Sequence, residues 1–166
     1  IMLSGESAAG QYPVEAVKTM ARIAASTEED IDYRGRMKQY DTVDRTDITM
    51  AIAYSTCTAA ADLNASVIIT VTMSGFTAEA ISRFKPVCPV IGCTVNDRVC
   101  KQLNLLWGVN PLLIGRKETS DELFAAALEE AEKAGYVKQG DTVVITAGVP
   151  LGIAGKTNMI HVVEVE

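Results

Sequence analysis

Val67-Ile68-Ile69-Thr70-Val71, followed by Thr72-Met73-Ser74-Gly75-Phe76-Thr77, decides the fold. The first five residues are all β-branched and show no polar–apolar alternation, which marks a strand buried on both faces. The next six are small, hydroxyl-bearing and apolar residues around one glycine. They lead into Phe76, Ala80, Ile81 and Phe84 at helical spacing. Strand, short loop and helix repeat downstream. Pro89–Cys93 reads as a strand and Asp97–Leu103 as a short helix; Val109–Ile114 reads as the next strand. A helix over 120–134 follows. It opens with the capping box Thr119-x-x-Glu122, lays Leu123, Phe124, Ala127, Leu128 and Ala131 on one face, and closes at Gly135. Thr142–Thr146 is a fourth strand, and Asn158–Val165 a last one with the alternation of an antiparallel edge. The expected fold is α/β: a three-layer α/β/α domain whose five-stranded sheet is mostly parallel with an antiparallel edge strand.

Upstream the pattern changes. Ile1-Met2-Leu3 reads as the end of a strand, and Ser4–Gly10 as a small-residue loop. Pro13 stands where a first-turn helix proline belongs, and one amphipathic helix is expected over 13–33. Residues 34–46 are charged and aperiodic and read as a connector. Asp47 suits the N-cap of a helix over 48–63 that is apolar almost all round and is expected to be buried.

Composition excludes several classes. Among 166 residues, 15 Lys and Arg against 21 Asp and Glu leave a net charge of −6. That balance argues against a nucleic-acid or anionic-membrane binder. No apolar run approaches the roughly 20 residues of a membrane span. The opening has no basic n-region, so no signal peptide is expected and the cytoplasm is the expected location. Cys57, Cys88, Cys93 and Cys100 lie in apolar stretches and form no Cys-x-x-Cys, which reads as buried reduced thiols. His161 is the sole histidine, so neither a His-based triad nor a His-rich metal site is expected.

Ligands of parallel sheets bind at the carboxyl ends of the strands. Three loops there draw attention: Thr72–Thr77, Thr94–Asp97 and the long glycine-bearing Ala147–Asn158. Hydroxyls and helix N-termini of this kind accept phosphate or carboxylate groups. The plainer readings stay open: Ser74 and Thr77 as caps of the helix at 76, Asn96 or Asp97 as caps of the next, and Lys156 as a solvated loop lysine. Neither a Walker A nor a G-x-G-x-x-G pattern is present.

The stretch Ile1-Met2-Leu3-Ser4-Gly5-Glu6-Ser7-Ala8-Ala9-Gly10-Gln11-Tyr12-Pro13-Val14-Glu15-Ala16-Val17 resembles a segment of the pyruvate kinase family. So do Thr72–Ala78, Phe84-Lys85-Pro86 with Pro89-Val90-Ile91, Trp107-Gly108-Val109, and Gly140–Pro150, the last two in the bacterial form. The resemblance implies that residues 1–33 are the end of a (β/α)8 catalytic barrel, 34–46 a connector and 47–166 the family's C-terminal α/β domain. The lid and the rest of the barrel would belong to the same chain, and the whole enzyme would be a homotetramer. The implied reaction moves a phosphoryl group from phosphoenolpyruvate to ADP with Mg²⁺ or Mn²⁺ and K⁺. These residues themselves are expected to hold no cofactor and to be inactive alone.

Ser4 matches a barrel-mouth hydroxyl of the family, and Glu6 a supporting acid. The implied effector site comprises Thr72, Ser74, Gly75, Phe76, Thr77, Gly148, Gly155, Lys156 and Thr157. Met73, Phe76 and Leu123 stand where members that bind fructose 1,6-bisphosphate carry basic residues. With Lys156 as the one nearby cation, a monophosphate effector is expected instead. Two other readings compete: a stand-alone small-molecule-binding domain, and a purely structural interface domain using helix 120–134 and edge strand 158–165.

Overall fold

The computed structural model describes residues 1–39, 46–152 and 155–166, which fall into two compact units, Ile1–Asp32 and Tyr33–Glu166. In the first unit, α1 is Gly5–Ala8 and α2 is Pro13–Glu29. Residues 1–3 form no strand, because a strand needs a partner backbone and none of the described residues pairs with them. The expected loop carries α1, closed by the Ser4 carbonyl accepting from the N–H groups of Ser7 and Ala8 at 3.3 and 3.0 Å. Helix α2 stops at Glu29 rather than 33, where Asp30 turns into the bridge region with φ −89° and ψ 0°. None of its residues is buried.

The second unit opens with α3, Tyr33–Gln39, which begins at the residue expected to end the preceding helix and runs into the stretch 34–46 expected to be a connector. Its Met37 is buried in the core beside Ala53 and Ile81. Met37 and the Tyr33 ring, 6.3 Å from that of Trp107, are too few apolar groups in a seven-residue charged helix to leave a periodicity to read. Residues 40–45 of that connector lie outside the described residues. Helix α4, Ile48–Asp62, starts at Asp47, whose side chain accepts from the Met50 N–H at 3.1 Å. Its burial corrects the expectation. Ala53, Cys57, Ala60 and Ala61 are buried, but Ile48 is 67 % exposed and Ala51, Ile52 and Ala59 are only half-buried. The sheet covers one face of the helix, whatever the composition of the other.

The sheet contains β1 Val67–Val71, β2 Val90–Thr94, β3 Val109–Leu113, β4 Thr142–Ala147 and β5 Met159–Glu164, in the order β3-β2-β1-β4-β5. All neighbours are parallel except β4 and β5. The expected α/β class, with a mostly parallel sheet and an antiparallel edge strand, is the one observed. Side chains alternate between two cores. Ile68, Val90 and Val144 face α4, α5 (Phe76–Arg83) and α6 (Asp97–Leu103). Val67, Ile69, Ile91, Val143 and Ile145 face α7 (Ser120–Lys133).

Handedness explains the split. The chain steps outward from β1 to β2 to β3 through α5 and α6, then returns past β1 to β4 through α7. Parallel crossovers are right-handed, so reversing direction moves the connecting helix to the opposite face. The crevice at such a reversal opens above the carboxyl ends of β1 and β4.

Candidate functional site

Beyond β1 the chain closes a tight turn. The Thr72 hydroxyl accepts from the Gly75 N–H at 2.9 Å. Gly75 has φ +87°, a left-handed conformation that glycine adopts without Cβ strain, and it is the N-cap of α5. The helix therefore begins with no side-chain cap. Its first-turn N–H groups keep their capacity to donate, at the positive end of the helix dipole. Neither Ser74 nor Thr77 caps it. Thr77 is buried, and its hydroxyl lies 2.6 Å from that of Thr157, which is 1 % exposed. Asn96 does cap α6, accepting from the N–H groups of Arg98 and Val99 at 2.9 and 3.4 Å.

Opposite α5, the segment between β4 and β5 is held at its base. Asn158 accepts from the Val149 N–H at 2.8 Å and donates to the Val149 carbonyl at 2.6 Å. The Val149–Pro150 peptide is cis. Together with the Thr77–Thr157 contact, this clamp places the loop beside the α5 N-terminus. Ile153 and Ala154 lie outside the described residues.

Between these loops is a cavity of about 540 Å³. Of the expected site residues, Thr72, Thr77, Gly148, Gly155 and Lys156 line it. Ser74 and Phe76 line a shallower depression with Glu79 and Gly155. Gly75 shapes the turn and Thr157 braces it from behind. Met73 and Leu123 also line the main cavity, with Val71, Val95 and Leu151. Lys156 is not the one nearby cation: Arg116 and Lys117 reach the cavity, accompanied by Glu118. A signal for them existed. They occupy the segment between a strand and a capping box, hence at the same carboxyl edge as the other loops.

In the first unit, Ser4 and Glu6 are exposed. The Ser4 hydroxyl is 3.4 Å from a Glu6 carboxylate oxygen. The backbone N–H groups of Glu6 and Ser4, and then the Ser4 hydroxyl, hold the Glu6 carboxyl below the usual carboxylate range.

A family described as "Pyruvate kinase, alpha/beta domain" matches residues 50–163. The chain belongs to the pyruvate kinase family. The match runs from α4 into β5 and so includes every helix that flanks the cavity. The pyruvate kinase of Clostridium acetobutylicum is 45% identical over 166 residues, covering all of this chain and 35% of that protein. Those of Geobacillus stearothermophilus and Sporosarcina psychrophila are 44% and 45% identical, each over 98% of this chain and 28% of their own length. The chain thus spans about a third or less of these curated pyruvate kinases. Similarity to them continues through the first unit.

Proposed function

We propose that this chain is the effector-binding and assembly part of a pyruvate kinase, and that its cavity takes a phosphorylated metabolite. One observation carries the reading: Arg116, Lys117 and Lys156 converge above the carboxyl ends of β1, β2 and β4, beside an uncapped helix. Thr72, Ser74, Gly75, Phe76, Thr77, Gly148, Gly155, Lys156 and Thr157 form the proposed phosphate-gripping set. Three cations less the Glu118 carboxylate leave two positive charges. A phosphomonoester carries about −1.5 to −2 and is matched; a bisphosphate brings about twice that. A monophosphate is therefore favoured over fructose 1,6-bisphosphate.

In the whole enzyme, the barrel and lid of the same chain would carry phosphoryl transfer from phosphoenolpyruvate to ADP, giving pyruvate and ATP with Mg²⁺ or Mn²⁺ and K⁺. Residues 1–33 would close that barrel, 34–46 connect it and 47–166 regulate it. Ser4 would join proton delivery there, supported by Glu6. Among the described residues no group of three His, Cys, Asp or Glu is placed to hold a metal ion. The chain alone is proposed to be inactive.

Assembly draws support from β5, which among the described residues pairs with β4 alone and leaves an outer edge, and from the half-buried outer face of α4. A cytoplasmic homotetramer is the proposed whole, without nucleic-acid or membrane partners. No helix among the described residues is long and apolar enough to cross a membrane.

Thermal unfolding tests the effector reading. Adenosine 5′-monophosphate, ribose 5-phosphate, glucose 6-phosphate, fructose 1,6-bisphosphate and inorganic phosphate are titrated separately. Binding at a hundred times Kd adds about 2.7 kcal/mol of stability. The expected result is a larger rise in Tm with monophosphates than with the bisphosphate. No rise with any of them removes the effector and leaves assembly alone.

A further inference from the structure

Two glycines flank one buried leucine. Gly92 lies in the middle of β2 and Gly75 closes the turn that starts α5, yet a Cβ on either would meet Leu103 of α6. On Gly92 it would stand 2.8 Å from Leu103 Cδ1, and on Gly75 3.4 Å from Leu103 Cδ2. Each methyl of the leucine therefore lies over one glycine. Val99, one helical turn earlier, brings its Cγ1 to 3.6 Å from the same point on Gly75. Residues four apart share a helix face, and Val99 and Leu103 are both buried. That face of α6 backs the turn, and the Asn96 cap fixes where α6 begins.

The turn needs such a backing. Gly75 holds φ +87°, and fixing a glycine costs more backbone entropy than fixing any other residue. Gly75 has no side chain with which to pin itself, and its neighbours Met73, Ser74 and Phe76 are exposed. Inside the turn, one hydrogen bond, from the Gly75 N–H to the Thr72 hydroxyl at 2.9 Å, closes the loop. An anion at the start of α5 would be gripped by N–H groups whose direction this turn sets. Leu103 is not among the residues that line the cavity, so its effect on a ligand is indirect.

Resting on the effector reading above, we propose that Leu103 is a positioning residue of the phosphate site. Seated on Gly92 through one methyl, it holds Gly75 with the other and so keeps the first-turn N–H groups of α5 in their binding orientation. Strand β2 supplies the seat, α6 the wedge and α5 the donors. The same arrangement accounts for a glycine inside a buried strand, a place that otherwise favours β-branched residues.

Calorimetric titration of the 166-residue chain with ribose 5-phosphate and with inorganic phosphate, beside thermal unfolding of the same samples, separates positioning from packing. Without the wedge, the turn is ordered only when ligand binds, and fixing one residue's backbone at that moment weakens binding by about five- to thirtyfold. Leu103→Val withdraws the reach to Gly75, so both ligands are expected to bind at least about fivefold more weakly. Adding Gly92→Ala to it refills the space over β2, so Tm should recover while affinity stays low. Leu103→Met conserves volume and reach and should bind within about twofold of the parent. Cys57→Ala, a deletion in the same core cluster, should lower Tm and leave affinity unchanged. Affinity that follows Tm across the set overturns the proposal, because Leu103 is then packing alone. A Leu103→Val chain that binds as the parent does overturns it as well. If the unmodified chain binds neither ligand, the effector reading falls and this inference with it.

Discussion

The contact most open to a decisive perturbation is the pair of hydroxyls, Thr77 and Thr157, 80 residues apart and 2.6 Å from each other. Thr77→Val keeps the shape of the side chain and removes the oxygen. The Thr157 hydroxyl, 1 % exposed, is then left in the interior without this partner. A buried polar group deprived of its hydrogen bond costs about 1–3 kcal/mol. Thr157→Val should cost the same for the same reason. Replacing both oxygens removes the pair together, which is close to neutral. The coupling in a double-mutant cycle should therefore be about 2–6 kcal/mol in magnitude, with the double variant more stable than either single one. The second unit, Tyr33–Glu166, is of a size at which 1 kcal/mol moves Tm by roughly 3–5 °C, so each single variant should lose about 3–15 °C. Urea unfolding of the four chains gives the free energies, and calorimetry the midpoints. Single variants as stable as the parent, or additive losses, would refute the claim that this pair pins the β4–β5 segment to α5.

Other substitutions test the packing. Thr70 has a fully buried hydroxyl without a hydrogen-bond partner among the described residues, so Thr70→Val should leave stability unchanged or raise it by about 1 kcal/mol, the opposite sign to Thr77→Val in the same urea assay. Gly92→Ala would place a Cβ 2.8 Å from Leu103 Cδ1 and 3.2 Å from Val109 Cγ1. Leu103 is fully buried and has little room to yield, so a loss of about 1–3 kcal/mol is expected, and it should shrink in a Leu103→Ala background. Burial pushes the Cys88 thiol up to about 11 and the Cys93 thiol up to about 12, and raises Cys57 further. A thiol reagent at pH 8 should modify Cys100 first, the half-buried one, and the other three only on unfolding. The same shifts carry a sign. Above the ordinary thiol value of about 9 the unfolded chain releases protons that the folded chain retains, so stability should fall as pH rises past 9. A flat stability profile from pH 8 to 11 would contradict that burial.

Much of the second unit was legible locally. Val67–Val71 and Thr142–Ala147 are strands because β-branched residues crowd a helix and pack well on a pleated surface. The Thr119–Glu122 box, the Asp47 cap and the Asn96 cap each span three residues or fewer, so their partners are visible in the chain itself. The candidate site was legible where its residues follow a readable strand, as Thr72, Gly148 and Lys156 do. Arg116 and Lys117 also follow one, but as charged residues they lack the glycine and hydroxyl pattern that marked the other loops. They reach the cavity because the β3–α7 segment passes over the sheet on its way back to β4.

Helix α4 shows the same limit from the other side. Its apolar composition predicts burial, yet burial depends on what stands opposite each face, and its outer face is only half covered among the described residues. Local chemistry determined which segments of this protein are strands, where three of its helices begin, and that hydroxyl-rich loops lie at one edge of the sheet. Tertiary structure alone decided that β4 inserts beside β1, that Thr77 meets Thr157, and that three cations share one cavity. The reason is range. Propensities and caps act within a few residues, whereas strand order follows from crossover handedness and from burial of two opposite sheet faces, which exist only once the whole chain has packed.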